Sequence, residues 1–185
     1  SNSYELTSFL NCIRISMMAN IKILAIETMK IIDYRSTYAD FIIAARLALL
    51  PIKRKYDYIK TANFKLNVKY DINKADSNGY QIIYSSDIIS ETEDVDIINK
   101  DIPVIILQKY EYLNLSLEAT EGIGKTHAKW NPCCVSYKEI NSKEYEFNIE
   151  TLGQYSCLEL FVKGIEHLTD LCDKYIDSVE DIACE

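Results

Sequence analysis

The densest grouping of chemically useful side chains lies in residues 121–132, EGIGKTHAKWNP. The triplet Gly124-Lys125-Thr126 imitates the end of a phosphate-binding loop, in which backbone amides and a lysine surround a phosphate. That loop also needs a glycine five residues before the Gly-Lys pair, and position 119 is alanine. Pro132 limits any following helix to about one turn, so no helix dipole would face a phosphate. The sequence therefore argues against a nucleotide site.

A histidine and two cysteines in the same region suggest metal binding or nucleophilic catalysis. Zinc sites use paired ligands two to four residues apart, and neither Cys-x-x-Cys nor His-x-x-x-His spacing occurs in the chain. A nucleophile needs a histidine base held by a third group, and nothing in the sequence brings His127 or His167 to one. We expect no metal, no other cofactor and no catalytic residue. A small enzyme using His127 with Cys133 or Cys134 is the rival hypothesis.

The only tryptophan, Trp130, lies between Lys129 and an Asn-Pro turn, close to Lys125. Tryptophan and basic residues give protein interfaces much of their binding energy, so this loop is a candidate contact surface. The alternative is that Trp130 covers the β-rich part of its own chain. Residue types alone leave these two interpretations equal.

Composition narrows the possible functions. The 185 residues carry 20 Lys plus Arg and 28 Asp plus Glu, a net charge of −8, and an acidic surface repels nucleic-acid phosphates. The longest apolar run, residues 41–51, contains Arg46 and is too short to span a membrane. We therefore expect no direct nucleic-acid or membrane binding and an intracellular protein with reduced thiols. Its six cysteines are Cys12, Cys133, Cys134, Cys157, Cys172 and Cys184.

The first fifty residues predict helix, strand and helix. Apolar side chains at helical spacing indicate a helix over residues 3–19 with one buried face: Leu6, Phe9, Leu10, Ile13 and Met17. Residues 22–32 are rich in isoleucine and suit a half-exposed strand. Residues 37–50 predict a second helix that ends before Pro51.

The middle of the chain is predicted to be β-rich. Apolar alternation over residues 64–70 and the stretch 80–84 indicate two strands, which the Ser77-Asn78-Gly79 turn would join as a hairpin. Residues 91–96 form an acidic loop that solvates the chain. Further short strands are expected over residues 102–107 and 113–117.

The last third predicts a strand over residues 145–150 and then a long helix. Ser156 and Glu159 have the spacing of a capping box, in which each side chain accepts a backbone N–H of the first helical turn. The helix carries what we name the C-terminal stripe, with spacings of 3, 4, 3, 4, 3 and 4: Leu158, Phe161, Ile165, Leu168, Cys172, Tyr175 and Val179. Such a 3.5-residue period is typical of helices that face another helix. The stripe alone does not decide between a second subunit and the chain's own sheet.

Three blocks, in order along the chain, resemble one known family. Residues 8–15 (SFLNCIRI), 26–27 and 41–52 (FIIAARLALLPI) are similar to its N-A-L-R-R … A-I-E … E-F-I-A-H-R-L-G-L-I-P segment. Residues 125–132 (KTHAKWNP) resemble its K-E-H-A-K-W-S-P loop, and residues 146–153 (EFNIETLG) its F-x-V-E-S-x-G strand. The family comprises the D subunit of archaeal RNA polymerase, the third-largest subunit of RNA polymerase II, the equivalent subunit of polymerases I and III, and the N-terminal domain of the bacterial alpha subunit.

The resemblance implies an α+β chain with two domains. Residues 1–52 and 141–185 would form an alpha-subunit-like dimerisation domain, and residues 53–140 an inserted β-rich domain. The implied function is a non-catalytic assembly subunit of a DNA-directed RNA polymerase. It would form a heterodimer with a smaller alpha-like subunit and hold the large catalytic subunits, with small zinc-bearing subunits as further partners. A free-standing homodimeric interaction module is the alternative.

The resemblance also implies which residues make these contacts. The expected heterodimer interface consists of Phe9, Ile13, Leu158, Phe161, Ile165, Leu168, Cys172 and Tyr175. The expected contact with the second-largest subunit consists of Arg14, Arg46, Lys125, His127, Lys129 and Trp130.

Several departures from the family pattern mark a divergent member. Some relatives hold zinc or an iron–sulfur cluster on cysteines of the inserted domain, but residues 53–132 contain no cysteine, so neither cofactor is expected. Ala45 stands where the family usually has histidine. The richness in Ile, Lys, Asn and Tyr is typical of AT-rich genomes, including those of large DNA viruses. The expected location is the nucleus or the cytoplasm, or the virion of such a virus.

Overall fold

The computed structural model describes residues 2–141 and 144–183, which form two compact units. One unit consists of residues 24–122, and the other combines residues 2–23 with the described residues from 123 onward. Helices and antiparallel ladders both contribute to the described chain, which confirms the predicted α+β class. We call these the inner unit and the terminal unit.

The inner unit is organised around a four-stranded sheet with strand order β1-β8-β3-β5. The strands are β1 (Lys22–Arg35), β3 (Thr61–Lys69), β5 (Ile88–Ser90) and β8 (Tyr112–Ile123). Phe64 lies opposite Leu117 and Leu66 opposite Leu115, and all four side chains are buried. The residues between them, such as Lys65, are exposed or half-exposed. This period of two places one face of the sheet in the core and leaves the other polar.

Helix α2 and two small ladders complete the inner unit. Helix α2 (Asp40–Ala48) contributes Ile43 and Leu47 to the same core. Strand β2 (Ile52–Arg54) pairs with β6 (Val95–Ile97), and β4 (Gln81–Tyr84) pairs with β7 (Pro103–Leu107). Short 3-10 turns occur at Ile72–Lys74 and Ser85–Asp87.

Two expectations for this region are wrong. Strand β3 does not form a hairpin with β4, because β3 pairs with β5 and β8 whereas β4 pairs with β7. The intervening turn is closed locally, since the Asp76 carboxylate accepts the N–H groups of Asn78 and Tyr80, and it does not join the two strands as a ladder. The acidic segment 91–96 is a loop only in its first part, because β6 begins at Val95.

The terminal unit packs two helices on a two-stranded ladder. Its elements are α1 (Asn2–Ala19), β9 (Cys133–Asn141), β10 (Glu144–Thr151) and α3 (Cys157–Ala183), with a 3-10 turn at Ala128–Trp130. Its core is a single apolar cluster of Ile13, Met17, Ile21, Cys133, Val135 and Leu160. Strands β9 and β10 pair antiparallel, with Ile149 opposite Val135.

The limits of the compact units differ from the predicted domain limits. Residues 24–52 supply Leu24, Ile43 and Leu50 to the core of the inner unit, and Cys133 and Val135 belong to the core of the terminal unit. Packing therefore groups residues 24–52 with the β-rich segment, and β9 with the last helix. The family division into 1–52 with 141–185 and 53–140 stays a prediction.

The start of α3 confirms the predicted capping box. The Ser156 N–H donates to Glu159 Oε2 at 2.7 Å, and the Glu159 N–H donates to Ser156 Oγ at 3.2 Å. These reciprocal bonds satisfy two amides that the helix itself leaves without acceptors. Within the residues that the structure describes, every helix is too short or too polar to cross a bilayer.

Candidate assembly interface

Helices α1 and α3 of the terminal unit cross at a glycine. The Ser16 hydroxyl donates to the Gly164 carbonyl at 3.0 Å, and both residues are buried. A Cβ atom at position 164 would lie 2.7 Å from Met17 Cγ, so glycine is the residue that permits this approach. The crossing fixes which faces of α3 are covered by its own chain.

The C-terminal stripe is divided between the core and the surface. Phe161 packs edge-to-face on Phe147 with 5.7 Å between ring centroids, and Leu168 also packs against the core. Leu160, which is outside the stripe, is fully buried. Five stripe residues point away from the core and are exposed: Leu158 (73%), Ile165 (39%), Tyr175 (64%), Val179 (64%) and Cys172. One chain therefore covers only part of the stripe.

The other expected heterodimer residues lie on α1, where their positions differ. Phe9 is 54% exposed, whereas Ile13 is 3% exposed and packs in the core of the terminal unit. The expected interface omits five exposed apolar residues of the same two helices: Leu6, Ile15, Val162, Leu171 and Ile176. The prediction that Leu6 and Phe9 lie on the buried face of α1 is wrong, since both are exposed. On α3, Val162, Leu171 and Ile176 each lie three or four residues from a stripe position, beside the line that the strict 3.5-residue pattern selects.

The loop of residues 123–132 closes the C-terminal end of α1. The Lys125 N–H donates to the Ala19 carbonyl at 2.8 Å, and the Asn131 side-chain amide donates to the Met18 carbonyl at 3.0 Å. A Cβ atom on Gly124 would lie 2.3 Å from the Met18 carbonyl oxygen. The glycine that imitates a phosphate-binding loop therefore serves close packing, and the amide after it caps a helix.

The loop presents cations around a buried tryptophan. Trp130 is 7% exposed, with Lys129 Nζ 4.4 Å from its ring centroid and His127 edge-on at 6.3 Å. Lys125 and His127 are exposed, and Lys129 is half-buried. The burial of Trp130 favours the packing interpretation of its side chain. The exposed part of the loop is basic.

The two arginines expected to contact the large subunit belong to different units. Arg14 lies on α1, where its guanidinium donates to Asn11 Oδ1 at 3.0 Å and to Met18 Sδ at 3.6 Å. Arg46 lies on α2 of the inner unit, where it donates to the Val104 carbonyl at 3.0 Å. Of the six expected residues, five therefore belong to the terminal unit.

The environment of Cys133 is that of a core thiol and not of an activated nucleophile. Cys133 is 3% exposed, and its Sγ is 3.7 Å from the Met17 carbonyl, to which it donates. Burial raises its pKa to about 11, and the neighbouring Cys134 and Cys157 thiols add to the shift. The His127 Nδ1 accepts the Lys129 N–H. Among the described residues no group of three His, Cys, Asp or Glu side chains is placed to hold a metal ion.

The buried thiol predicts a loss of stability in alkali. Unfolded Cys133 ionises near its ordinary pKa of 9.0, whereas the folded thiol keeps its proton up to about 11. The unfolded state therefore binds fewer protons in this window, and stability falls as pH rises from 9 to 11. We expect Cys133 to account for about 2 kcal/mol of the loss between pH 8 and pH 10.5. Urea unfolding at both pH values should show a smaller loss for Cys133→Ala, and equal losses would contradict the assignment.

Two kinds of comparison with known proteins indicate the same family. A model described as the RNA polymerase Rpb3/RpoA insert domain matches residues 15–133. The chain is 35% identical over 173 residues to the DNA-directed RNA polymerase subunit Rpo3 of Methanocaldococcus jannaschii, covering 94% of this chain and 85% of that protein.

Two further Rpo3 subunits are 31% identical to the chain. The match to the Methanobrevibacter smithii subunit covers 85% of this chain and 59% of that protein. The match to the Pyrococcus horikoshii subunit covers 71% of this chain and 51% of that protein. The chain thus spans between about half and three-fifths of these two relatives.

The fold and these matches define the class of protein. It is an alpha-like RNA polymerase subunit, with an α+β fold and a β-rich insert. The chain belongs to the Rpb3/RpoA family of RNA polymerase subunits. The sequence-based recognition of this family is confirmed.

Proposed function

We propose that the chain is a non-catalytic assembly subunit of a DNA-directed RNA polymerase. It forms a heterodimer with a smaller alpha-like subunit, and the pair holds the large catalytic subunits. The observation that carries this proposal is the exposed apolar part of α3, where Leu158, Ile165 and Tyr175 are 39–73% exposed. Contiguous exposed apolar side chains mark protein interaction sites.

The heterodimer surface combines both helices of the terminal unit. Phe9 of α1 and the outward stripe residues of α3 supply contact area, while Phe161, Leu168 and Ile13 hold the helices in place from below. Burying exposed leucine and isoleucine side chains contributes about 1.5–3 kcal/mol each when they become fully covered. A few such residues are enough to stabilise a specific complex.

The loop of residues 123–132 is proposed to contact the second-largest subunit. Lys125 and His127 provide exposed polar contacts, and the buried Trp130 ring supports Lys129 from below. Arg14 adds a further cation in the same unit, and Arg46 acts from the inner unit. Small zinc-bearing subunits are further proposed partners.

Catalysis belongs to other subunits in this proposal. The buried Cys133 has a raised pKa, so it is a poor nucleophile at neutral pH, and His127 Nδ1 is engaged by the backbone. Neither feature favours the rival enzyme that uses His127 and Cys133. An intracellular location follows from the proposed role.

Affinity purification of the tagged chain from native extract tests the proposal. We expect a smaller alpha-like subunit and both large polymerase subunits to co-elute in stoichiometric amounts. Sedimentation of the isolated chain measures whether the chain associates with itself. A stable homodimer with no co-eluting polymerase subunit would support the free-standing interaction module instead.

The basic loop gives a second prediction. Lys125→Glu reverses an exposed charge without touching the core, so the heterodimer should remain while affinity for the second-largest subunit falls by about tenfold. Lys74→Glu is the matched control, because Lys74 is an exposed lysine at the end of the 3-10 turn Ile72–Lys74, outside the proposed interface. Pull-down of the second-largest subunit by purified heterodimer measures both variants. An equal effect of both would remove the loop from the interface.

The variant Trp130→Ala tests whether the ring stabilises its own chain or binds the large subunit directly. Because Trp130 is 7% exposed, its removal should lower stability by about 3 kcal/mol or more in addition to weakening large-subunit recruitment. Thermal unfolding of the isolated chain measures the first effect. Unchanged stability would mean that the ring acts through the partner alone.

A further inference from the structure

The outer strand of the main sheet, β5, has a free edge. In the described part of the chain β5 pairs only with β3, and it ends the strand order β1-β8-β3-β5. The Glu91 N–H donates to the Asn63 carbonyl at 2.8 Å. Hydrogen-bonded pairs alternate along an antiparallel ladder, so Ile89 also faces β3, and the backbone groups of Ile88 and Ser90 point to the other side.

Three of these outward backbone groups are available for pairing. The Ile88 N–H is satisfied by the Ser85 carbonyl. That leaves the Ile88 carbonyl and the N–H and carbonyl of Ser90, for which no hydrogen bond is found among the described residues. Unpaired strand edges are templates for an added strand.

An open groove of about 570 Å³ runs along this edge, and we name it the β5 groove. Its other wall is the β2–β6 ladder, and all of its lining residues belong to the inner unit. The apolar lining comes from Ile88, Ile89 and Val95. Ile89 is 66% exposed, so its side chain is accessible to a ligand in the groove.

The lining of the groove carries one more positive charge than negative charges. Three lysines (Lys53, Lys55 and Lys100) and two aspartates (Asp94 and Asp96) line it, in a chain with a net charge of −8. Each aspartate pairs with one lysine, since Lys55 Nζ lies 3.3 Å from Asp94 and Lys100 contacts Asp96. Exposed Lys65 lies opposite Ile89 on β3 and adds a further cation. The turn that follows β5 carries Glu91 and Glu93, which lie outside the lining of the groove, as does Lys65.

We propose that the β5 groove binds an extended segment of a partner protein, with alternating apolar and acidic residues, by strand addition to β5. Backbone pairing with Ser90 and Ile88 supplies affinity, Ile89 contacts an apolar ligand side chain, and Lys53 attracts an acidic one. A three-residue strand accommodates about three to four ligand residues at 3.3 Å each. The residues of this surface belong to the inner unit, whereas the α3 stripe belongs to the terminal unit.

Nuclear magnetic resonance of the ¹⁵N-labelled full chain tests the proposal with a defined probe. An alternating glutamate–valine hexapeptide with blocked ends should shift the Ser90 amide signal and slow its hydrogen exchange. An alternating lysine–valine hexapeptide should bind at least about fivefold more weakly because the net charge of the lining opposes it. Equal binding of the two peptides would overturn the charge argument.

A modified peptide and a pair of lysine variants distinguish strand addition from nonspecific binding. A glutamate–valine peptide with N-methyl groups on alternate amides cannot form the ladder and should bind about tenfold more weakly. Lys53→Glu should weaken the unmodified peptide about fivefold, whereas Lys30→Glu on β1, at the opposite edge of the sheet, should leave it unchanged. Loss of binding with both lysine variants, or full binding of the methylated peptide, would contradict the proposal.

A second copy of the chain is the competing occupant of the groove. Concentration-dependent dimerisation that slows exchange at Ser90 without any peptide would show that copies pair through this edge, and would overturn the partner assignment. Loss of α3-dependent assembly would leave the peptide result unchanged, so the two proposals can fail separately.

Discussion

An Ile165→Asp chain is expected to fold normally and to lose its smaller alpha-like partner. Ile165 is 39% exposed in the single chain, so the carboxylate stays hydrated until a partner covers it. In the heterodimer the same carboxylate would lie uncompensated among apolar side chains, which costs several kcal/mol. We expect affinity to fall by about a thousandfold, which abolishes co-purification.

The matched control for this variant is Ile82→Asp. Ile82 is 43% exposed on β4 of the inner unit, so the substitution and the exposure are alike while the position is outside the proposed interface. Co-expression of each variant with the smaller subunit, followed by quantitative pull-down and thermal unfolding, measures binding and stability together. If Ile165→Asp retained the partner at wild-type yield, the interface would have to lie elsewhere.

The elements that could be predicted from the sequence are those whose pattern is local. Alternation at Phe64, Leu66 and Val68, and at Leu113, Leu115 and Leu117, is sufficient to indicate β3 and β8, because strand burial repeats every two residues. The capping box at Ser156 and Glu159 places the start of α3 within one residue. These features depend on neighbours along the chain and on no distant contact.

Pairing of the strands could not be predicted in the same way. The Ser77-Asn78-Gly79 turn suggested that β3 and β4 are partners, but a turn signal does not state how far apart the strands are in space. Phe64 instead meets Leu117, and nothing in the alternation of either strand specifies that partner. Register between distant strands is set by the whole core.

Strand β9 shows a signal that was present and overlooked. Residues 133–138 alternate buried or half-buried Cys133, Val135 and Tyr137 with exposed Cys134, Ser136 and Lys138. Cysteine is among the most buried residue types, so Cys133 can occupy a buried position of such a strand. The thiol therefore belongs to a strand pattern and its chemistry is that of a core residue.

The division of the C-terminal stripe depends on the helix that crosses it. A 3.5-residue repeat describes one continuous line on α3, whereas the contact at Gly164 and Ser16 covers only the side that includes Leu160, Phe161 and Leu168. Which side of an amphipathic helix its own chain covers is a tertiary property. The exposed remainder is the surface that we propose for assembly, whereas the sequence left open whether a second subunit or the chain's own sheet covers the stripe.

The second large effect is expected from Gly124→Ala. The new Cβ atom would lie 2.3 Å from the Met18 carbonyl oxygen and 3.3 Å from Ala19 Cα, both of which belong to the backbone. Backbone atoms cannot rotate away, so the loop must move from the end of α1. That movement lengthens the Lys125–Ala19 and Asn131–Met18 hydrogen bonds together. We expect a loss of about 3 kcal/mol or more in the free energy of unfolding.

Gly164→Ala provides the comparison that tests this reasoning. Its Cβ would also lie too close to a neighbour, 2.7 Å from Met17 Cγ, but that atom is part of a flexible side chain and the nearest backbone atom is 3.6 Å away. Met17 can adjust at a cost of about 1–2 kcal/mol, so urea unfolding should rank the wild type above Gly164→Ala and Gly164→Ala above Gly124→Ala. The reverse order would mean that the α1–α3 crossing, and not the cap on α1 by the basic loop, limits the stability of the terminal unit. Because the same loop presents Lys125 and His127, Gly124→Ala should also weaken large-subunit recruitment, whereas Gly164→Ala should act on the heterodimer.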